Sequence, residues 1–308
     1  MTGPAVRTVG VTHRFGDVTA LDRVDLEVAA GGVYGFLGRN GAGKTTLIRA
    51  LLGLITPTSG TVEVLGTPVR GGRTSRALWA RVGYLVEGPG LYPSLTVLEH
   101  LQSAARYRRL AAEAVRDVVE QLGLGPYAEV RAATLSLGNR QRLGLALALV
   151  HRPELVILDE PVNGLDPAGV VDVRTLLRGL TAEGVTVFMS THLITEVARL
   201  ADRVVIIHDG RLVAELSGER LRSSGDERLV STFRSADLAR RAAAALSAHG
   251  LDARVEHATV VSTEAGAVRR PDRVATLLVE AGAPPTSLGV EREDLEGYFL
   301  RLTEKVPA

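Results

Sequence analysis

The chain has no cysteine among its 308 residues. That excludes a disulfide scaffold, a thiolate zinc site and a cysteine nucleophile, and it leaves the redox compartment open. An excess of charge of one sign is also missing. Lys and Arg number 36 against 35 Asp and Glu, for a formal net charge of +1, so there is no electrostatic footprint for nucleic acid. Long apolar runs are absent too: no stretch approaches the ~18 residues of a membrane span, and the longest candidate is Leu143 to Val150. The opening MTGPAVRTVGVTHRFG has no apolar h-region, so no secretory signal is expected. These absences predict a cytoplasmic protein whose membrane role, if any, comes through a partner. The length suits a large α/β domain followed by a small second one, with no internal repeat or low-complexity tract.

What is present alternates between strands and helices. Val6 to His13 and Val24 to Val28 read as antiparallel edge strands. Val33 to Leu37 is an apolar strand that runs into a glycine-rich turn, and Thr45 to Leu52 then has helical character. Thr61 to Leu65, Val82 to Val86, Leu155 to Leu158, Val185 to Met189 and Val204 to Ile207 read as further strands. Pro93 to Gly125 reads as wholly helical, with Leu95, Leu98, Leu101, Val115, Val118 and Leu122 at helical spacing. Leu137 to Val150 and Val170 to Leu180 are also helical. The alternation predicts a mostly parallel sheet with helices on both faces. Composition shifts over Ser217 to Glu227, as in a linker. Beyond it come strand Arg228–Phe233, helix Ala236–His249, strands Leu251–Val255 and Val260–Thr263, helix Arg273–Ala281, strand Ser287–Val290 and a closing helix over Glu293–Thr303. That βαββαβ order predicts a small ferredoxin-like α+β unit.

Two motifs carry chemistry. Gly38-Arg39-Asn40-Gly41-Ala42-Gly43-Lys44-Thr45 fits GxxxxGK[ST] between a strand and a helix. Glycines let backbone N–H groups converge on phosphates without an intervening Cβ, and the helix start offers unpaired N–H groups and a positive dipole end. Lys44 can reach the β/γ-phosphates, the Thr45 hydroxyl can ligate Mg²⁺, and Thr46 continues the same helix start. The second motif is Leu155-Val156-Ile157-Leu158-Asp159-Glu160-Pro161, a buried strand that delivers two carboxylates to the edge where open α/β sheets bind ligands. Strand alternation is expected to point the two in opposite directions. Asp159 is assigned to the metal and Glu160 to general base.

Four further segments narrow the family. Leu135-Ser136-Leu137-Gly138-Asn139-Arg140-Gln141 resembles the LSGGQ signature of ABC ATPases. Asn163-Gly164-Leu165-Asp166-Pro167 looks like the D-loop, Ser190-Thr191-His192 like the switch histidine, and Gly83-Tyr84-Leu85-Val86-Glu87 stands at the Q-loop position. Residues 6–220 resemble ABC ATPases continuously and in order, most of all the ATPase subunits of drug, lantibiotic and bacitracin export systems, which pair with ABC-2 type permeases. The resemblance implies an α/β P-loop NTPase fold with antiparallel edge strands and a helical subdomain over residues 90–150. It implies a nucleotide-binding domain over 1–217, followed by an accessory α+β domain over 218–308. It implies ATP and Mg²⁺ as cofactors, a second ATPase subunit as partner, no nucleic acid, and a peripheral place on the inner face of the membrane.

The resemblance also lends roles to matching positions. Phe15 stacks on adenine; Gly38, Asn40, Gly41, Ala42, Gly43, Lys44, Thr45 and Thr46 form the phosphate loop. Thr45, Asp159 and Glu87 serve the metal. Ser136 and Gly138 reach the γ-phosphate held by the other subunit, Asp166 of the D-loop joins the nucleotide-binding residues, and His192 contacts γ-phosphate. Three positions depart from the common pattern. Glu87 stands where most of the family has Gln, and a carboxylate only accepts hydrogen bonds whereas an amide also donates; export-type relatives share it. Leu137 and Asn139 replace Gly and Gln of the signature. Arg39 replaces a common proline and should point outward. An importer ATPase and a soluble ABC ATPase acting on nucleic acid or ribosomes are the competing readings. The short span between Lys44 and Ser136 leaves no room for the coiled coil of DNA-repair relatives, and near-neutral charge disfavours nucleic acid. Glu87 and the altered signature favour the exporter branch over the importer.

Overall fold

The computed structural model describes residues 3–219 and 227–292. The expected closing helix over Glu293–Thr303 and most of the Ser217–Glu227 linker lie outside them. The chain divides into two compact units, residues 1–222 and 223–308.

The first unit begins with a long hairpin, β1 (Val6–Phe15) and β2 (Val18–Val28), followed by β3 (Val33–Leu37) and α1 (Lys44–Leu51). Next come β4 (Ser59–Val64), β5 (Thr67–Pro68), the single-turn helix α2 (Arg76–Trp79) and β6 (Val82–Leu85). Three helices follow: α3 (Val97–Arg108), α4 (Ala112–Gln121) and α5 (Leu137–Leu149). The unit continues through β7 (Leu155–Asp159), α6 (Pro167–Ala182), β8 (Thr186–Thr191), α7 (Ile194–Leu200), β9 (Arg203–His208) and β10 (Arg211–Ser217). Two sheets result. The smaller is antiparallel, with order β2-β1-β4-β5, and the larger has order β10-β9-β3-β8-β7-β6. Strands β9, β3, β8, β7 and β6 run parallel, and β10 closes one edge antiparallel.

This order positions the chemistry. β8 lies between β3 and β7, so the segment after β8 emerges between the turn after β3 and the turn after β7. β3, β7 and β8 are buried along their whole length, which is why they read as apolar runs rather than alternating strands. Phe36 on β3 and Phe188 on β8, diagonal neighbours two register positions apart, pack with ring centroids 5.4 Å apart. Burial of side chains such as these stabilises the unit by about 1.5–3 kcal/mol each.

The helical stretch after Pro93 departs from expectation. It is two helices, not one: Arg109 takes a left-handed backbone, φ 58°, and ends α3 before α4 starts at Ala112. The start is displaced as well. Thr96 caps α3 in a reciprocal box with Glu99, each side chain accepting the other's backbone N–H at 2.7–3.1 Å, so Pro93 to Leu95 lie ahead of the helix. Helical spacing on both sides of the break hides it from a periodicity reading.

The second unit contains β11 (Glu227–Thr232), α8 (Ala236–Ala248), β12 (Arg254–Glu256), β13 (Thr259–Ser262), α9 (Ala265–Arg269), α10 (Pro271–Glu280) and β14 (Ser287–Arg292). Its sheet order is β12-β13-β11-β14, antiparallel throughout. Numbered within the unit this is 2-3-1-4, the arrangement that the βαββαβ order implies. Leu229, Phe233, Leu246, Val260, Val274 and Leu278 form its core.

Candidate functional site

The turn after β3 is shaped by close approach. A Cβ on Gly43, whose φ is +105°, would lie 2.6 Å from the Ala20 carbonyl oxygen, and one on Gly38 would lie 2.7 Å from that of Ile207. Only glycine fits either place. The β9–β10 turn braces the loop: the Gly210 N–H donates to Ala42 O at 3.0 Å, a support no loop motif reveals. Arg39 and Asn40 are exposed, as expected for Arg39, and Gly41 is exposed at φ +84°. α1 starts at Lys44 with no side-chain cap. Its first N–H groups, those of Lys44, Thr45 and Thr46, are therefore available to an anion.

Lys44 is 6% exposed. Its ammonium donates to Gly38 O at 2.7 Å and Arg39 O at 3.3 Å, and lies 3.4 Å from Glu160 Oε1. The next residue, Thr45, donates its hydroxyl to Asp159 Oδ2 at 2.8 Å. Ser190 Oγ donates to Asp159 Oδ1, and the Glu160 N–H donates to Ser190 Oγ at 3.0 Å and to its carbonyl at 3.2 Å. The sequence marks Ser190 only as part of the histidine segment, yet it holds both carboxylate residues.

The two carboxylates do not diverge as strand alternation predicts. β7 ends at Asp159, and Glu160 takes φ +51°. This left-handed turn, costly for a non-glycine residue, swings Glu160 back toward the side Asp159 faces. Asp159 therefore meets Thr45 while Glu160 meets Lys44, the residue before it. His192, just past β8, donates from Nδ1 to Glu160 Oε2 at 2.9 Å. A carboxylate can only accept, so this contact calls for an N–H at Nδ1, and Nε2 is left for a second partner. Lys44, Thr45, Asp159, Glu160 and His192 thus converge from three neighbouring strands.

Glu87 also has a left-handed backbone, φ +55°, and its carboxylate is paired with the Arg49 guanidinium. Phe15 is half exposed at the end of the β1–β2 hairpin, opposite Val18, with its ring edge-on to His13 at 4.6 Å. It is not packed into the core.

The signature segment stands apart from this cluster. Ser136 caps α5, its Oγ accepting the Asn139 N–H at 3.2 Å, and both Ser136 and Leu137 are exposed. Among the described residues no hydrogen bond or ion pair joins Ser136 or Gly138 to the loop. Asp166 caps α6, accepting the Gly169 N–H at 2.8 Å. Gln141, buried, donates to Pro161 O at 2.8 Å and ties α5 to the turn that carries Glu160. Gln141 is the last residue of the signature segment, and spacing alone gives it no role.

Comparison with known proteins places this geometry. The ABC transporter family model matches residues 21–163. The chain is 36% identical to the bacitracin transport ATP-binding protein BcrA of Bacillus licheniformis over 300 residues, 96% of each chain. The chain belongs to the family of ABC transporter ATP-binding proteins. It is also 34% identical to the daunorubicin resistance ATP-binding protein DrrA3 of Streptomyces coeruleorubidus over 98% of this chain and 97% of that one. A dimeric ATP-binding cassette solved in a post-hydrolysis state with ADP and phosphate shares its fold, with TM-score 0.62, 26% identity, and coverage of 69% of this chain and 98% of that one. The protein is accordingly an ABC ATPase that binds and hydrolyses ATP. Among its described residues no helix is long and apolar enough to cross a membrane.

Proposed function

We propose that this ABC ATPase powers export of a drug, antibiotic or peptide through a separate ABC-2 type permease, acting from the cytoplasmic face as a pair of identical subunits. The observation that carries the catalytic part is the placement of Glu160 between Lys44 and His192. Relatives named for bacitracin transport and daunorubicin resistance, similar over nearly the whole chain, support the export part. Copurification with a multispanning membrane protein tests it; a chain that meets only soluble partners contradicts it.

The residues suit Mg²⁺ as well as ATP. Thr45 and Asp159 are hard oxygen donors facing one another, and among the described residues no group of three or more His, Asp or Glu could hold a cation unaided. A small cation that keeps waters and phosphate oxygens fits such a pair. Thr45, Asp159 and Glu87 would hold it, and it would offset charge on the β- and γ-phosphates. Lys44 turns from Glu160 to the phosphates as they enter. Glu160 then accepts a proton from the attacking water, and His192 holds the Glu160 carboxylate in place, while an Nε2–H is what it would offer the γ-phosphate, whose oxygens only accept. Ser136, exposed at the N-cap of α5, and the half-buried Gly138 in its first turn close on the γ-phosphate held by the other subunit, with Asp166 beside them. ATP thus joins the pair, and hydrolysis releases it. The region from Pro93 through α3, just beyond Glu87, meets the permease.

Phe15 supplies the adenine platform. Changing Phe15 to Ala should weaken ATP about fivefold or more while sparing inorganic triphosphate, because stacking is worth ~1–3 kcal/mol per base. Equal losses for both ligands in a titration would remove Phe15 from the site. Nucleotide handling belongs to residues 1–217, and residues 218–308 form an accessory domain. A chain ending near Gly218 should still bind ATP; failure to fold or to bind would contradict that division.

A further inference from the structure

The Glu87–Arg49 contact lies outside every role assigned above. Arg49 stands four residues after Thr45 on α1, so the two side chains leave the same face one turn apart. Leu85 on β6 pairs with Leu158 on β7, so Glu87, two residues past the end of β6, follows a strand end that lies beside the end of β7 at the C-terminal sheet edge. The phosphate-side helix and the Glu87 turn therefore flank the same edge. The Glu87 backbone is left-handed and is followed by Gly88 at φ +84° with nothing within 4 Å of its Cβ position. This is a turn that re-aims its side chain. In this structure the carboxylate is aimed at Arg49, not at Thr45 or Asp159. Glu87 is 56% exposed and Arg49 35%, and an ion pair that open adds little stability. Its consequence is one of position and charge.

We propose that Arg49 is a positioning residue, a cationic latch that draws Glu87 away from the triphosphate edge and neutralises it until MgATP arrives. The proposal rests on the reading that Glu87 serves the metal. A glutamine at position 87 would need no such partner, because it carries no charge to repel the phosphates. A glutamate does. With metal present, Glu87 has a cation to turn to; without it, an unlatched carboxylate faces the triphosphate directly.

The test is a double-mutant cycle on nucleotide affinity in the full chain, measured by calorimetry with ATP plus Mg²⁺ and with ATP plus EDTA. Arg49→Met should weaken metal-free ATP about three- to fivefold, the size of one exposed charge contact, and change MgATP much less. In the Glu87→Gln background the same substitution should change neither. Arg49→Lys, which keeps the charge, should behave as wild type and also guards against a folding defect. Equal losses from Arg49→Met in both conditions and both backgrounds would overturn the latch, as would an Arg49→Lys chain that behaves like Arg49→Met. The metal reading of Glu87 fails separately: it is lost if Glu87→Gln leaves the ratio of Mg²⁺ to metal-free affinity unchanged.

Discussion

Glu160→Gln should lower ATP turnover by about 10²–10⁴, the usual cost of removing a general base, while ATP binding survives. The amide keeps the shape of the side chain and can still accept from His192 Nδ1, now 2.9 Å from Oε2. It cannot take a proton from water. It also removes the negative charge that lies 3.4 Å from the Lys44 ammonium, so Lys44 is released to the phosphates more readily and affinity should hold or rise. Steady-state phosphate release beside nucleotide binding reads both effects. Wild-type turnover in the Gln chain would show that Glu160 is not the base, and loss of binding would show that it shapes the loop instead.

Lys44→Ala should have the larger effect on binding and take ATP below detection in a titration. The ammonium is nearly buried and held by the Gly38 and Arg39 carbonyls at the mouth of the loop. Hydrogen bonds from a charged donor are worth about 1.5–3 kcal/mol each, and Lys44 can give several to the phosphates. Its removal also leaves Glu160 unneutralised where the γ-phosphate must enter, so the loss is charge repulsion added to lost attraction. Unchanged affinity would mean that the backbone N–H groups of α1 hold the triphosphate alone.

Much of this site was legible in the residues because its parts are local. The glycine turn, the ammonium and the hydroxyl are consecutive, and the two carboxylates end one apolar strand, so spacing alone exposes them. What escaped is set by long-range contact. Ser190 holds Asp159 and Glu160 only because β8 lies beside β7, and no local pattern marks a strand serine as a carboxylate partner. Strand alternation misjudged Glu160 because it assumes that the strand continues, whereas the left-handed backbone after Asp159 ends it. The same blindness to backbone handedness hid the break at Arg109. In the second unit the βαββαβ order was readable because its longer elements are bounded by turn residues, whereas α9, five residues long, is too short to show a period.

The central claim, that this ATPase works as two copies closed around ATP, is tested most directly by size-exclusion chromatography with light scattering on the Glu160→Gln chain. With saturating MgATP the account predicts a dimer, because unhydrolysed γ-phosphate bridges the loop of one copy to Ser136 and Gly138 of the other. Adding Ser136→Arg should return the chain to a monomer that still binds ATP. A Glu160→Gln chain that stays monomeric with ATP bound, or a dimer that Ser136→Arg leaves intact, would contradict it.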